Sequence, residues 1–349
     1  MKRLHTSAAA AVALALTVTA CGSGGSSDAS SGSGDAGAAA ELQGKTIELI
    51  VPFDPGGGYD QYARALAGPL GDELGADVIV VNKPGAGGLL ANNDVYKADP
   101  DGLTLEILNM TGTLGSALAG AEGVQYEPDK FSYVGRLTSE PAIVVVGSES
   151  EYSSFDDLMK LGESSEIRFS ATGPGSNEYI DPTVLTSVLD LNSKIITGFG
   201  GSGEAALALT QGNVDAYSRA LSSQLPLIES GDAKPVLVLG SERVEDFPDV
   251  PTALELDLDD DQQSLMESHV NLIESGRTIA APPGMDPELL DALRAAFTKV
   301  VQEPAFMSSS EDAGRPIVYS SGEDVQEQVS ELMDAPQEYV DILKRGFSG

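Results

Sequence analysis

Short apolar, β-branched runs alternate in this chain with glycine-rich turns and helical stripes. That order restricts the fold more than any other feature. The run "TIELIVPF" (46–53) reads as a strand ended by Pro52 and Pro55. Three glycines follow, and then Tyr62, Leu66, Leu70 and Leu74 recur every four residues, the spacing of one helix face. Pro69 lies inside that stripe and predicts a kink or an early break. "DVIVVN" (77–82) is a second strand before the turn "PGAGG" (84–88), a short helix over 89–97 and the strand "LTLEILN" (103–109). A second block repeats the grammar. Strands at 142–147, 166–171 and 194–199 alternate with helices at 155–162, 182–191 and 205–212, and the turns "TGPGSNEY" (172–179) and "GGSGE" (200–204) lie between them. Further strands are expected at 214–220 and 235–240, and long helices at 287–304 and 322–346, the last interrupted at Pro336. Strand–helix–strand alternation predicts an α/β protein with parallel pairing. Open α/β sheets bind ligands beyond the carboxyl ends of their strands, so two such blocks predict a cleft lined by glycine loops.

The chain's 349 residues suffice for two domains or one large one. A net charge of −34 repels nucleic acid and anionic membrane faces, and neither is expected as a partner. The acidic stretch "ELDLDDDQQ" (255–263) alternates Asp257, Asp259 and Asp261 as a calcium loop would. Gln262 stands where the turn glycine is needed and Ser268 where the bidentate glutamate is needed, so it reads as a solvated face.

The first residues read as an address. "MKR" precedes an apolar run at 8–20, too short to span a bilayer and suited to a signal segment. It ends in Val18, Thr19 and Ala20 before Cys21, the only cysteine, and resembles the lipidation site of bacterial lipoproteins. Residues 1–20 are therefore expected to be a signal peptide and Cys21 a lipid attachment point. Residues 21–41 form a Gly/Ser-rich linker of about 25 Å root-mean-square span. The expected location is the outer face of a bacterial cytoplasmic membrane.

The glycine turns have a specific chemical capacity. Amide groups at a helix start lack partners and carry the positive end of the helix dipole, and glycine lets the backbone approach a bound group. "PGGGYD" before a helix is either a tight turn or an anion cradle, for phosphate or carboxylate. It lacks the lysine of a phosphate-binding P-loop, and Gln61 breaks the dinucleotide-binding glycine pattern. Catalytic groups are scarce. Beyond the signal segment the chain has one histidine, His269, in a helical stretch that suits a structural role. No metal-ligand spacing, nucleophile elbow or cofactor motif is present, so no catalytic residue, metal or cofactor is expected.

Longer blocks carry a resemblance. "IELIVPFDPGGGYDQYARAL", "VNKPGAGG", "PDGLTL", "FSATGPGS", "GFGGSGEAALALTQGNVDAYS" and "APPGMDPELLDALRAAF" occur in order over residues 44–306. Together they resemble the substrate-binding proteins of tripartite tricarboxylate transporters, also called Bug proteins. The resemblance implies a type II periplasmic-binding-protein fold, two α/β lobes with a ligand cleft between them. Lobe 1 is placed at 42–140 plus 253–349 and lobe 2 at 141–252. It implies a monomer that captures a small organic carboxylate and delivers it to membrane permease subunits. A ligand-sensing receptor for a sensor kinase, or an enzyme acting on a carboxylate, are the alternatives. Carried onto matching positions, the binding residues are Pro55, Gly56, Gly57, Gly58, Tyr59 and Asp60 in lobe 1. Gly173, Gly175, Ser176 and Asn177 face them, with Gly200, Gly201 and Ser202 beside, and Thr111 and Ser222 as further candidates. Asp60 has a second reading as helix N-cap paired with Arg64. Arg219 is read as pairing either a second carboxylate or a protein group. Tyr59 departs from the small or hydroxyl residue common in the family, and would shrink the pocket or stack on an aromatic acid.

Overall fold

The computed structural model describes residues 40–347. The expected signal segment, Cys21 and all but the last residues of the linker lie outside the described residues. In chain order the elements are β1 (Thr46–Val51), α1 (Gly58–Leu74), β2 (Asp77–Asn82), α2 (Leu89–Tyr96), β3 (Thr104–Asn109), α3 (Met110–Ala119), β4 (Ser132–Thr138) and β5 (Ala142–Gly147). There follow α4 (Phe155–Ser164), β6 (Ile167–Ser170), α5 (Asn177–Val188), β7 (Ser193–Ile196), α6 (Ser202–Thr210), β8 (Ala216–Ala220), α7 (Leu221–Glu229) and β9 (Ala233–Leu239). The chain ends with α8 (Asp260–Glu274), β10 (Arg277–Ala281), α9 (Pro287–Val301), α10 (Pro304–Asp312), β11 (Ser320–Ser321), α11 (Gly322–Met333) and α12 (Gln337–Phe347).

The strands form two sheets, ordered β11-β4-β10-β3-β1-β2 and β7-β6-β8-β5-β9. The chain passes from the first sheet to the second between β4 and β5, and returns between β9 and β10. Parallel pairing holds where a helix separates consecutive strands: β1 with β2 and β3, and β6 with β7 and β8. It fails elsewhere. β10 runs antiparallel to β3 and β4, and β5 antiparallel to β8 and β9. These strands enter their sheets after the chain has changed sheet or from a remote segment, so no local crossover fixes their direction.

The stripe on α1 is buried as its spacing requires, and the helix ends at Gly75 in the left-handed conformation. The predicted break at Pro69 is absent, since α1 continues to Leu74. Ala65, whose carbonyl loses its helical donor to the proline, is exposed, so water can replace that bond. The acidic stretch starts α8: Asp259 is its N-cap and exchanges hydrogen bonds with Gln262 in a capping box.

One apolar cluster is shared by both halves. Leu108 and Leu114 belong to it together with Val144, Phe169 and Ile180, and with Tyr339 from α12. Two further clusters lie under single sheets, one around Leu49, Leu66 and Phe297, the other around Val145, Leu209 and Tyr217. The shared core holds the halves together, and the glycine loops meet beside it, where Gly175 packs against Leu89.

Candidate functional site

The loops after β1 (52–57), β2 (83–88), β6 (171–176) and β7 (197–201) converge between the sheets. They enclose a cavity of about 60 Å³, whose wall includes Phe53, Asp54, Tyr59, Asn177, Arg219 and Arg277. That space holds a few waters or one small polar group. A wider mouth of about 650 Å³ adjoins it, bordered by residues 54–57 on one side and 200–204 on the other.

Five helices start at this cleft without a side-chain cap: α1 at Gly57, α2 at Gly88, α5 at Ser176, α6 at Gly201 and α7 at Ala220. The Ser176 hydroxyl donates to the Gly173 carbonyl instead. Helices α4, α8, α9 and α11 are each capped by a serine or aspartate side chain, whereas α3 and α10 are not. The cleft ends of α1 and α6 therefore keep amide donors and the positive end of their dipoles available to an anion.

Two buried ion pairs frame the cavity. Arg277, at the start of β10, pairs with Glu140, and both side chains are under 10% exposed. Glu140 also accepts from the Ser222 amide (2.6 Å) and hydroxyl (2.9 Å). The Arg277 guanidinium lies 4.7 Å from the ring centres of both Tyr59 and Tyr62, in cation–π range. On the other side Arg219 lies 3.6 Å from Glu178. Glu178 also accepts from the Tyr217 hydroxyl (2.8 Å) and from the Thr172 hydroxyl and amide. Glu178 is thus fully engaged, while Arg219 reaches both cavity and mouth with donors to spare.

Of the residues expected from sequence, Tyr59, Ser176, Asn177, Gly200, Gly201 and Ser202 line the enclosed cavity, and Pro55, Gly56 and Gly57 border the mouth. Asp60 is not an N-cap: Gly57 is, and Asp60 sits in the first helical turn. Its carboxylate accepts from the Gly56 amide, Asn82 and Arg64, so it braces the loop from behind. Burial would raise its pKa. Hydrogen bonds from Arg64, Gly56 and Asn82 outweigh burial and hold it below the ordinary carboxylate value. Ser222 is occupied by Glu140, and Thr111 lies deeper, near the Leu272 carbonyl (3.5 Å). Tyr59 stacks on Phe53 and Arg277, and its hydroxyl donates to Asn109 (3.0 Å). Burial pushes that hydroxyl up to about 12.

Gly173 and Gly175 are pressed against the opposite loop. A β-carbon on Gly173 would lie 2.9 Å from the Gly87 amide nitrogen, and one on Gly112 would lie 1.9 Å from the Gly175 carbonyl oxygen. Gly112, Gly173 and Gly175 let two backbones touch across the cleft, whereas a β-carbon on Gly58 would meet a side chain, the Ser223 hydroxyl, at 2.3 Å.

Sequence reasoning missed Asp54, Glu140, Glu178 and Arg277. A lone arginine heading the apolar run "RTIAA" was the available signal for Arg277. Glu140 carried none, because its partner stands 137 residues away.

A family model described as "Tripartite tricarboxylate transporter family receptor" matches residues 62–341. The chain belongs to that receptor family. BugT of Bordetella pertussis is 28% identical over 272 residues, covering 76% of this chain and 79% of the relative. Among solved structures, MatC from Rhodopseudomonas palustris with bound malate is 26% identical, with a TM-score of 0.74, over 86% of this chain and 99% of that one. The periplasmic binding protein BugD shares the fold, with a TM-score of 0.73 at 23% identity over 86% and 97% of the two chains. This family receptor thus has the two-lobed α/β fold of periplasmic binding proteins. No group of side chains suited to a metal ion is present among its described residues.

Proposed function

We propose that this protein is an extracytoplasmic receptor whose lobes, 42–140 plus 253–349 and 141–252, close over a small organic carboxylate. The observation that carries the reading is the convergence on the mouth of the cleft of the uncapped starts of α1 and α6 and of Arg219. A carboxylate there accepts from backbone amides and pairs with a guanidinium. The bound malate of the MatC structure supports a carboxylate ligand. The captured acid passes to the membrane permease subunits of a tripartite transporter. Cys21 carries the lipid that keeps the monomeric receptor near them, and no chemical change of the ligand is involved.

Thermal-shift screening against mono-, di- and tricarboxylates, amino acids and aromatic acids tests the reading. A ligand at 100 times its dissociation constant adds about 2.7 kcal/mol of stability, and the expected result is a shift with one class of acid. Shifts only with neutral or cationic solutes would overturn it. Recovery of the bound acid unchanged after incubation is the expected result for a receptor. Its conversion would point to an enzyme.

A further inference from the structure

Asp54, in the loop between β1 and α1, is the one acid on the cavity wall whose charge is left unanswered. Its half-buried side chain borders both the enclosed cavity and the mouth. Its Oδ2 lies 2.9 Å from where a β-carbon on Gly201 would stand, beside the start of α6. Among the described residues no group donates a hydrogen bond to its carboxylate and no cation pairs with it. Glu178 is matched by Arg219, Tyr217 and Thr172, and Glu140 by Arg277 and Ser222, while on the mouth Glu204 accepts from the Gly200 amide and Asp232 from the Ser230 hydroxyl.

An uncompensated carboxylate beside a carboxylate-binding cavity has one of two effects. It repels a purely anionic ligand, or it is completed by a donor that the ligand brings. Arg219 comes close on the same side: its Nη2 lies 3.4 Å from the β-carbon position of Gly57. The mouth therefore presents the spare donors of Arg219, a guanidinium that already lies 3.6 Å from Glu178, beside the half-buried Asp54 carboxylate, complementary to a group carrying both charges. We infer that Asp54 is a specificity residue that seats an ammonium group, so that the receptor selects amino acids over their hydroxy and unsubstituted counterparts. The inference rests on the carboxylate reading above and adds the second recognition group.

Calorimetric titration of the full protein with aspartate, malate and succinate tests it, with alanine, lactate and propionate as a second trio. Within each trio one carbon carries an ammonium, a hydroxyl or a hydrogen. The expected result is that the amino acid binds at least tenfold tighter than its partners in at least one trio. Asp54→Asn is expected to cut that preference to threefold or less and to tighten binding of the unsubstituted acid. Equal or tighter binding of the hydroxy or unsubstituted acids by the wild-type protein overturns the proposal, and needs no variant. A tenfold preference that survives Asp54→Asn overturns the assignment to Asp54. If no acid of either trio binds while simple amines do, the carboxylate reading itself fails.

Discussion

Replacing Gly112 by alanine adds one methyl group at the seam where the two halves touch. Gly112 lies in α3 with ordinary helical geometry, so the change brings no backbone strain, only volume. The new carbon would stand 1.9 Å from the Gly175 carbonyl oxygen and 2.6 Å from the Asn109 amide nitrogen. The first distance is about 1.5 Å inside ordinary contact at 3.4 Å, and the obstacle is backbone, which cannot rotate away. Overpacking of this kind costs about 1–3 kcal/mol. Opening the cleft relieves the clash, so the cost falls on the closed form. A ligand that needs closure then binds with an affinity reduced by the lost closed fraction, about 5- to 150-fold. The assay is calorimetric titration of wild type and Gly112→Ala with the best acid, beside the melting temperature of each protein without ligand. Gly68→Ala is the control: its new carbon meets nothing within 4 Å on α1, and the exchange stabilises by roughly 0.5–1 kcal/mol. Affinity unchanged in Gly112→Ala would refute the seam argument. A large loss of unliganded stability with affinity intact would show the seam to be permanent packing and not part of closure.

Glu140→Ala leaves the Arg277 guanidinium buried without its carboxylate and is expected to cost about 3–5 kcal/mol in urea unfolding. The double variant Glu140→Gln with Arg277→Met is expected to lose less than the single one, and equal losses would count against the pairing. Asp60→Asn is expected to destabilise at pH 7, and by progressively less as pH is lowered below about 3.9. The folded pKa of Asp60 is depressed, so its contribution exists above the unfolded value of about 3.9 and disappears as pH falls through the lower folded one. A urea midpoint difference that stays constant as pH is lowered from 7 through the acid range would sink that account. Affinity for a net-anionic ligand is expected to rise from 10 to 150 mM salt. The charge of −34 repels it from afar while the amides act at contact, and the Debye length falls from about 30 to about 8 Å. A falling affinity would assign binding to exposed cations instead.

What the sequence determined by itself is what depends on neighbours along the chain. The period of Tyr62, Leu66, Leu70 and Leu74 places one face of α1 against the core, because a helix repeats every 3.6 residues whatever surrounds it. The glycine turns before α1, α5 and α6 were legible for the same reason, as was the helix break at Pro336. Six of the expected site residues reach the enclosed cavity, since a loop between a parallel strand and its helix must lie at the strand's carboxyl end. Tertiary structure alone decided what depends on remote segments. It set β10 antiparallel between β3 and β4, and it joined Arg277 to Glu140, Arg277 to Tyr59 and Glu140 to Ser222. It turned Asp60 from a cap into a brace and left Asp54 without a side-chain partner among the described residues. It also divided the glycines into those that border the mouth and those, at 112, 173 and 175, that let two backbones meet. A glycine's conformational freedom is a property of the residue, but the space a β-carbon would need is set by a chain segment folded from elsewhere.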